Sequence, residues 1–312
     1  MHQIYEVPNL SIKKQYISVS FLQRVLRQED SIIINYGTEP EEYCIRQINL
    51  NFSIHSVNQA INNTHLTYWD MVVMDAIYTI MKNINNIMTV DMIAQVISGD
   101  LHQKITTKRR TAIEQTIYKL KSIKCHISQG EVPNKIKDAK YDGYLLSIEK
   151  VKARYKSNGT EKDAYMISEI HILYQHAESG HKIIAIPADY LDLQTNINNT
   201  DEVVMIKRYV INRVMQIVDE KKRFNSDRLS FYWEEHTGKE SKSKGLFAEL
   251  GYCPDDSNYW KKVKSRINKT VIASLERLKI LAVIKAYTPY REDGTNNPAS
   301  PIKGYIISKP TN

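Results

Sequence analysis

The stretch DSNYWKKVKSRINKTVIASLERLK, from Asp256 to Lys279, decides how the last third of this chain folds. Apolar residues recur in it every three or four positions, which is the spacing of one helical face. They are Trp260, Val263, Ile267, Val271, Leu275 and Leu278. The opposite face carries Asn258, Lys261, Lys262, Ser265, Arg266 and Lys269. The pattern predicts a helix that packs through one face and offers a cationic face to DNA, or simply to solvent.

The residues around this helix predict a winged helix-turn-helix. The elements expected before it are a helix at 202–220 and a short helix from Ser226 or Asp227 through Glu235, and those expected after it are strands at 280–287 and 302–308. Pro289–Gly294 lies between the two strands and predicts a flexible wing tip. This wing would extend the candidate DNA-binding surface by three basic residues, Lys285, Arg291 and Lys303.

The same order of elements is predicted earlier in the chain. Strands are expected at 31–36 and 43–51, helices at 66–82, 89–97 and 107–121, and a long hairpin with arms at 144–155 and 164–174. Asn158-Gly159 between the arms is a strong hairpin signal. Six positions also match at an offset of 158: Ile113, Ile117, Leu120, Lys121, Ile123 and Cys125 correspond to Val271, Leu275, Leu278, Lys279, Leu281 and Val283. We therefore predict an α+β chain of two tandem winged helices, each with a β-hairpin wing.

The positive charge is concentrated in the second predicted domain. Residues 1–200 carry 22 Lys and Arg against 21 Asp and Glu, whereas residues 201–312 carry 21 against 14. A local field of this kind suits a polyanionic partner, although a solvated basic face gives the same count. We predict an N-terminal domain over 1–199, with a strand-containing extension, and a DNA-binding domain over 200–312.

Two basic clusters in the first domain are candidates for auxiliary DNA contacts. Lys108-Arg109-Arg110 opens the third predicted helix, where cations oppose the helix dipole and a phosphate would relieve them. Lys150, Lys152 and Arg154 alternate with apolar residues, so a strand would place them on one face. That stripe could follow a phosphate backbone or form the solvated face of an antiparallel pair.

The composition argues against several other classes of protein. The three cysteines are far apart, no apolar run is long enough to cross a membrane, and the N-terminus has no signal pattern, so we expect a cytoplasmic protein with reduced thiols. His171, His176 and His181 are spaced by five residues, and two of them fall in or next to a predicted strand, where an odd spacing places successive positions on opposite faces and does not favour a metal site. Gly238-Lys239-Glu240-Ser241 lacks the glycine-rich lead of a phosphate loop. We predict no catalytic activity, no metal and no cofactor.

Three stretches carry a resemblance to a known family. They are Thr67–Asp70 at the start of the first long helix, Glu114–Lys121 at the end of the third, and Asn258–Lys279. Over roughly residues 60–310 the chain resembles plasmid replication initiators of the tandem winged-helix, iteron-binding type. The resemblance implies a protein that binds repeated origin sites, helps to open A·T-rich duplex and recruits the host replication initiator and replicative helicase. It also implies a monomer–dimer switch in which the first unit dimerises and the second reads the major groove.

Two departures and two alternatives accompany this interpretation. The leucine-zipper-like helix of some relatives is not evident, and the first 60 residues have no clear counterpart. A transcriptional regulator could use the same fold and the same DNA contacts. A non-catalytic scaffold, whose basic helix binds an acidic protein, is the alternative from a different class.

Overall fold

The structure, a computed structural model, describes residues 4–8, 10–18, 31–36, 44–54, 66–129, 140–169, 172–179, 183–191, 197–218, 227–231, 245–253, 257–295 and 297–310. Its internal contacts divide the chain into two compact units, Met1–Asp189 and Tyr190–Asn312. Each unit contains helices and strands, so the chain belongs to the α+β class. The predicted domain boundary between residues 199 and 200 falls inside the second unit.

The described part of unit 1 begins with strands and continues with helices. The elements are β1 (Ile4–Val7), β2 (Lys14–Ser18), β3 (Ser31–Tyr36), β4 (Cys44–Ile54), α1 (Tyr68–Asn83), β5 (Ile87–Met88), α2 (Val90–Ser98) and α3 (Thr107–Ser122). The bounds of α2 follow from its caps. The Thr89 hydroxyl accepts the Met92 N–H at 3.2 Å, and Gly99 ends the helix with a φ of 77°. Glycine adopts that left-handed conformation without a steric penalty, so both predicted ends of this helix are confirmed.

The remainder of unit 1 completes its sheets. The elements are β6 (Ile123–Gln129), β7 (Lys140–Tyr144), β8 (Ile148–Tyr155), β9 (Glu161–Ile167), α4 (Ile172–Ser179) and β10 (Ile183–Pro187), and a 3-10 helix, Ala188–Leu191, runs across the boundary between the two units in the sequence. One sheet has the order β1-β8-β9-β5, a second has the order β3-β4-β6-β7, and β10 pairs with β2. Asn158-Gly159 lies in the β8–β9 turn, as predicted, with Gly159 at a φ of 66°.

Unit 2 places its described elements in a similar order. They are α5 (Asp201–Val218), β11 (Arg228–Ser230), α6 (Leu246–Glu249), α7 (Asn258–Ile280), β12 (Ala286–Arg291) and β13 (Ile302–Ser308). The sheet has the order β11-β13-β12. In each unit, a short strand that follows the first long helix pairs with the second strand of a hairpin: β5 with β9, and β11 with β13.

The matched positions of the two units are buried alike at the ends of α3 and α7. Ile113, Ile117 and Leu120 are fully buried, as are Val271 and Leu275, and Leu278 is 1 % exposed. The match ends with the helices. After α3 the chain forms β6, which pairs with β4 and β7, and the wing-like hairpin of unit 1 begins only at β8.

Two predicted elements of unit 2 are wrong. The helix expected from Asp227 is a strand at Arg228–Ser230, because Leu229 and Phe231 are both fully buried and alternate as a strand requires. The strand expected from Ile280 begins only at Ala286, because α7 continues through Ile280 and turns at Ala282, whose φ is 55°. Pro289–Arg291 consequently belongs to β12 rather than to the wing tip.

The second arm of the unit 1 hairpin also ends earlier than predicted. β9 stops at Ile167, and Tyr174 lies on α4 instead of in a strand. Leu173, Tyr174 and Ala177 are buried at helical spacing, and the Tyr174 ring stacks on Tyr78 at a centroid distance of 4.7 Å.

Some predicted features lie outside the described residues. They are the turn at 37–40, His171, His181, the side chain of His176, and the segments 232–235 and 239–244. Within the residues that are described, no helix combines the length and apolar character that a membrane crossing requires.

Candidate nucleic-acid interface

Helix α7 is anchored at its start and along one face. The Ser257 hydroxyl caps it by accepting the Trp260 N–H at 3.0 Å. The predicted apolar face is buried along its whole length, and Trp260 packs edge-on against Phe247 with ring centroids 4.8 Å apart. Such a cap and a continuous buried face fix the rotation of the helix about its axis, which determines the residues that face outward.

The outward face of α7 is a stripe of polar and basic side chains. Asn258, Lys262, Ser265 and Lys269 follow one another at spacings of four, three and four residues, and all are exposed. Lys261 is exposed beside them. Lys261, Lys262 and Lys269 have no ion-pair partner among the residues that the structure describes. We call Asn258, Lys261, Lys262, Ser265 and Lys269 the α7 stripe.

Arg266 differs from the α7 stripe because its guanidinium is held by a carboxylate. Its Nε and one terminal nitrogen each donate to Glu202, both at 2.9 Å. The same terminal nitrogen is 3.2 Å from the Tyr252 hydroxyl, which itself donates to Glu202. The side chain nevertheless remains 55 % exposed. Arg266 therefore stays at the surface in a fixed orientation, with its other terminal nitrogen available to a ligand.

The ionisation of this group agrees with its geometry. Burial, followed by the hydrogen bond to Glu202, raises the pKa of Tyr252 to about 12. The hydrogen bond to Glu202 is also the main cause of the raised pKa of Arg266. Glu202 was not among the predicted site residues, because it lies in the first turn of α5, far from Arg266 in sequence.

The predicted contacts on and beside the β12–β13 hairpin of unit 2 differ in their exposure and in their partners. Lys285 is exposed and Lys303 is half-buried. Arg291 donates to the carbonyl oxygens of Pro298, at 3.2 Å, and of Ser300, so it braces the loop between β12 and β13. Asp293 accepts from the Thr295 N–H and hydroxyl, which lowers its pKa and closes the turn. Hydrogen bonds thus hold a tip that we predicted to be flexible.

The three basic residues at the start of α3 lie in three different environments. Lys108 is exposed. Arg109 is only 7 % exposed, so little of its side chain is accessible for the DNA contact that we predicted. Arg110 donates to both oxygens of Asp91, at 2.6 and 3.3 Å, and remains 44 % exposed.

The cations of β8 face acids of β9. Lys152 lies directly opposite Asp163 and Arg154 opposite Glu161, and each pair forms a salt bridge. Lys150 also contacts Asp163, at 3.3 Å. The predicted stripe is therefore one row of a charge ladder, which favours the interpretation as a solvated face.

An exposed aromatic residue adjoins the α7 stripe. Tyr259, in the first turn of α7, is 70 % exposed. A base or sugar could pack against such a ring. Tyr259 was not among the predicted site residues, because it is one of 20 tyrosines and its exposure depends on the packing of its neighbours.

Comparisons with known proteins returned few matches. No family model and no curated protein matches the chain. One solved structure, a crystal structure of selenomethionine derivatives of domains 2 and 3 of RctB, matches this chain. The alignment covers 100 % of this chain and 96 % of the RctB chain. The sequences are 12 % identical and the TM-score is 0.33. A TM-score this low does not establish a shared fold.

Proposed function

We propose that this chain binds double-stranded DNA in a sequence-specific manner through two winged helices, with α7 as the main recognition helix. The observation that carries the proposal is the α7 stripe: three lysines without an ion-pair partner in the described structure, together with Asn258 and Ser265, on a helix whose rotation is fixed. An α-helix fits the major groove, where lysine neutralises phosphates and asparagine can read adenine.

Arg266 adds a base-reading element to this proposal. Arginine commonly contacts guanine with two parallel hydrogen bonds, and an arginine whose orientation is already fixed loses less side-chain entropy on binding. Glu202 supplies that fixed orientation. Arg266 would therefore contribute to the choice of sequence more than to overall affinity, whereas the lysines of the α7 stripe would contribute mainly to affinity.

The winged-helix assignment draws its support from the pairing of the strands. In each unit the short strand after the first long helix joins the second strand of the hairpin, so the hairpin is attached beside the helices. A hairpin in that position can contact DNA next to the recognition helix. Unit 1 differs by the β6–β7 insertion between α3 and the hairpin.

Within this function we propose a role in initiating replication of a plasmid or mobile element at repeated origin sites. Two of the stretches that carry the family resemblance meet in unit 1, where Lys119 donates to Asp70 at 2.6 Å. Asp70 also accepts the Thr67 N–H at 2.7 Å, as part of a capping box. These residues hold α3 to the start of α1. The host replication initiator, the replicative helicase and a second copy of the chain are the partners implied by the resemblance.

The proposed mechanism requires neither catalysis nor a cofactor. Binding energy spent on bending or untwisting the duplex would open adjacent A·T-rich DNA, where deformation costs least. Purified protein should therefore neither cleave supercoiled origin DNA in the presence of magnesium nor hydrolyse ATP. Covalent attachment of DNA to a tyrosine would replace this proposal with an enzymatic one.

Footprinting on the DNA that flanks the gene tests the proposal. We expect protection of several direct repeats, with permanganate-reactive thymines in neighbouring A·T-rich sequence. Protection of a promoter without permanganate reactivity would indicate a transcriptional regulator instead. Absence of salt-dependent duplex binding would leave the protein-interaction scaffold as the better explanation.

A further inference from the structure

Unit 1 contains a groove with a cationic lining, and Arg110 is the only one of its cations that was among the predicted contacts. Its volume is about 760 Å³. It lies between the start of α2, the α2–α3 connection and the β8–β9 turn, and part of its wall comes from Leu10–Ile12. Lys104, Arg110, Lys162 and His102 line it, and Asp91 is the acid among its lining residues. The lining therefore carries a net positive charge before any contribution from His102.

Asp91 positions two of these cations. Its Oδ1 accepts from Arg110 and its Oδ2 from Lys162, each at 2.6 Å. The Asp91 side chain is only 16 % exposed, whereas Arg110 and Lys162 remain 44 % and 42 % exposed. A ligand entering the groove would therefore meet the two cations before the carboxylate. Two cations held by one carboxylate lie close enough together to contact one phosphate group.

The hairpin turn supplies neutral donors on the other side of the groove. The Gly159 N–H donates to the Tyr155 carbonyl at 2.8 Å, which fixes the turn. Asn158 accepts the Thr160 N–H through its Oδ1 at 3.0 Å, so its amide nitrogen remains available as a donor. Ser157, Asn158 and Thr160 all line the groove. Hydroxyl and amide donors beside Lys and Arg are typical of contacts to the phosphate backbone.

The lining is better suited to a phosphodiester than to a free nucleotide. Tyr155 is its aromatic residue, and the Lys162 ammonium lies 5.7 Å from the centroid of that ring. The Tyr155 hydroxyl is 2.7 Å from the Thr89 hydroxyl, which fixes the ring in place. One face of the ring thus already has a cation over it, where a stacking base would otherwise lie.

We infer that this groove binds the phosphodiester backbone of duplex DNA through Lys104, Arg110 and Lys162. The inference takes its ligand from the proposed function, but it concerns a different unit and a different set of residues. The groove is a better candidate for a DNA contact than the predicted row on β8. The cations of β8 are paired with acids of β9, whereas the three cations of the groove outnumber its one acid, Asp91. Lys104 is exposed and has no ion-pair partner in the described part of the chain.

Acylation footprinting of the lysines in the full chain, read by mass spectrometry, tests the inference. Duplex DNA should reduce the labelling of Lys104 and Lys162 several-fold and leave Lys121 and Lys152 unchanged. Lys121 is an exposed control on α3, and Lys152 is a control that, like Lys162, is held by an aspartate. Unchanged labelling of Lys104 and Lys162 would overturn the inference.

The same experiment separates this inference from the proposed function. Protection of Lys261, Lys262 and Lys269 reports on α7 independently of the groove. Protection of α7 alone would support the proposed function and exclude the groove as a DNA site. Protection of the groove alone would support the inference and exclude α7 as the main recognition helix. Protection of Lys104 and Lys162 by inorganic pyrophosphate but not by DNA would also overturn the inference, in favour of a site for a small anion.

A double variant provides a second measurement. Lys104→Ala with Lys162→Ala should lower the slope of log affinity against log salt by about two, since each phosphate contact contributes about 0.9. The matched double variant, Lys121→Ala with Lys152→Ala, should leave the slope unchanged. Circular dichroism of both variants checks that they remain folded. Equal slopes for the two folded variants would contradict a backbone contact in the groove.

Discussion

Two kinds of basic side chain project from α7, and they should contribute differently to DNA binding. Lys262 and Lys269 lie in the middle of the exposed face without an ion-pair partner in the described structure, so binding a phosphate costs them no existing salt bridge. Arg266 is already engaged with Glu202. Its contribution depends on whether a ligand can use the guanidinium without breaking that pair.

Removing either central lysine should weaken binding to all sequences. Lys262→Ala and Lys269→Ala should each lower the salt slope by about one, because each removes one phosphate contact. Lys261→Ala should act in the same direction. Lys279→Ala is the matched control, since Lys279 is exposed on the last turn of the same helix. Fluorescence anisotropy over a series of salt concentrations measures the slope. Wild-type slopes for all the stripe variants would mean that α7 does not contact the backbone.

Releasing Arg266 should reduce discrimination rather than affinity. In Glu202→Gln the guanidinium loses its charged partner, and one mispositioned base contact is worth roughly 1–3 kcal/mol of discrimination. We expect the ratio of specific to non-specific affinity to fall about tenfold or more, while non-specific affinity stays the same or rises. The pKa of Tyr252 should also fall from about 12, because Glu202 helps to raise it. An unchanged specificity ratio together with a lowered Tyr252 pKa would show that Glu202 contacts Tyr252 as described but does not contribute to recognition.

At the scale of elements, predictions succeeded where the signal is local. Thr89 and Gly99 mark the ends of α2 because capping depends on a few neighbouring residues. The periodicity of Asp256–Lys279 gave the buried face of α7 for the same reason. Leu229 and Phe231 were misassigned because a short apolar pair suits a helix or a strand equally, and pairing with the distant β13 decides between them.

The candidate site was predictable only where it lies on a single helix. The sequence could also have shown the neutralisation of β8, since Arg154 and Glu161, like Lys152 and Asp163, are equidistant from the hairpin turn. Burial of Arg109 and the Asp91 and Glu202 ion pairs depend on tertiary packing between elements far apart in sequence. No local pattern encodes such contacts.

The contacts of Asp91 join three elements of unit 1, and their loss should destabilise it. Asp91→Asn removes the charged partner of both Arg110 and Lys162, which we expect to cost roughly 1–2 kcal/mol of unfolding free energy at neutral pH. Urea unfolding of the wild type and the variant, followed by circular dichroism, measures this difference. DNA binding should be at least as tight in the variant, because the groove loses a negative charge.

The pH dependence of that difference distinguishes a charge effect from a packing effect. Burial raises the pKa of Asp91, but the hydrogen bonds from Arg110 and Lys162 outweigh it and lower the pKa below its ordinary value of 3.8. A group with a lowered folded-state pKa stabilises the protein above its unfolded pKa, and this stability is lost as the pH falls through the folded value. The gap between wild type and Asp91→Asn should therefore shrink below pH 3.8. A gap that is constant with pH would indicate lost packing.

At the scale of the whole molecule, the two units should divide the work of binding unequally. Residues 201–312 carry 21 basic residues against 14 acidic ones, and they include the α7 stripe. A fragment of residues 190–312, the second compact unit, should bind duplex DNA with a steep salt dependence. A fragment of residues 1–189 should bind much more weakly, because its groove offers fewer cations and its β8 row is neutralised. The full chain should bind more tightly than either fragment, since the covalent link raises the effective concentration of the second contact.

The double variant Lys262→Ala with Lys269→Ala in the 190–312 fragment is the control, and it should reduce binding to the level of the 1–189 fragment. Equal affinities for the two unmodified fragments would contradict this division and would indicate that both units grip the duplex through comparable surfaces.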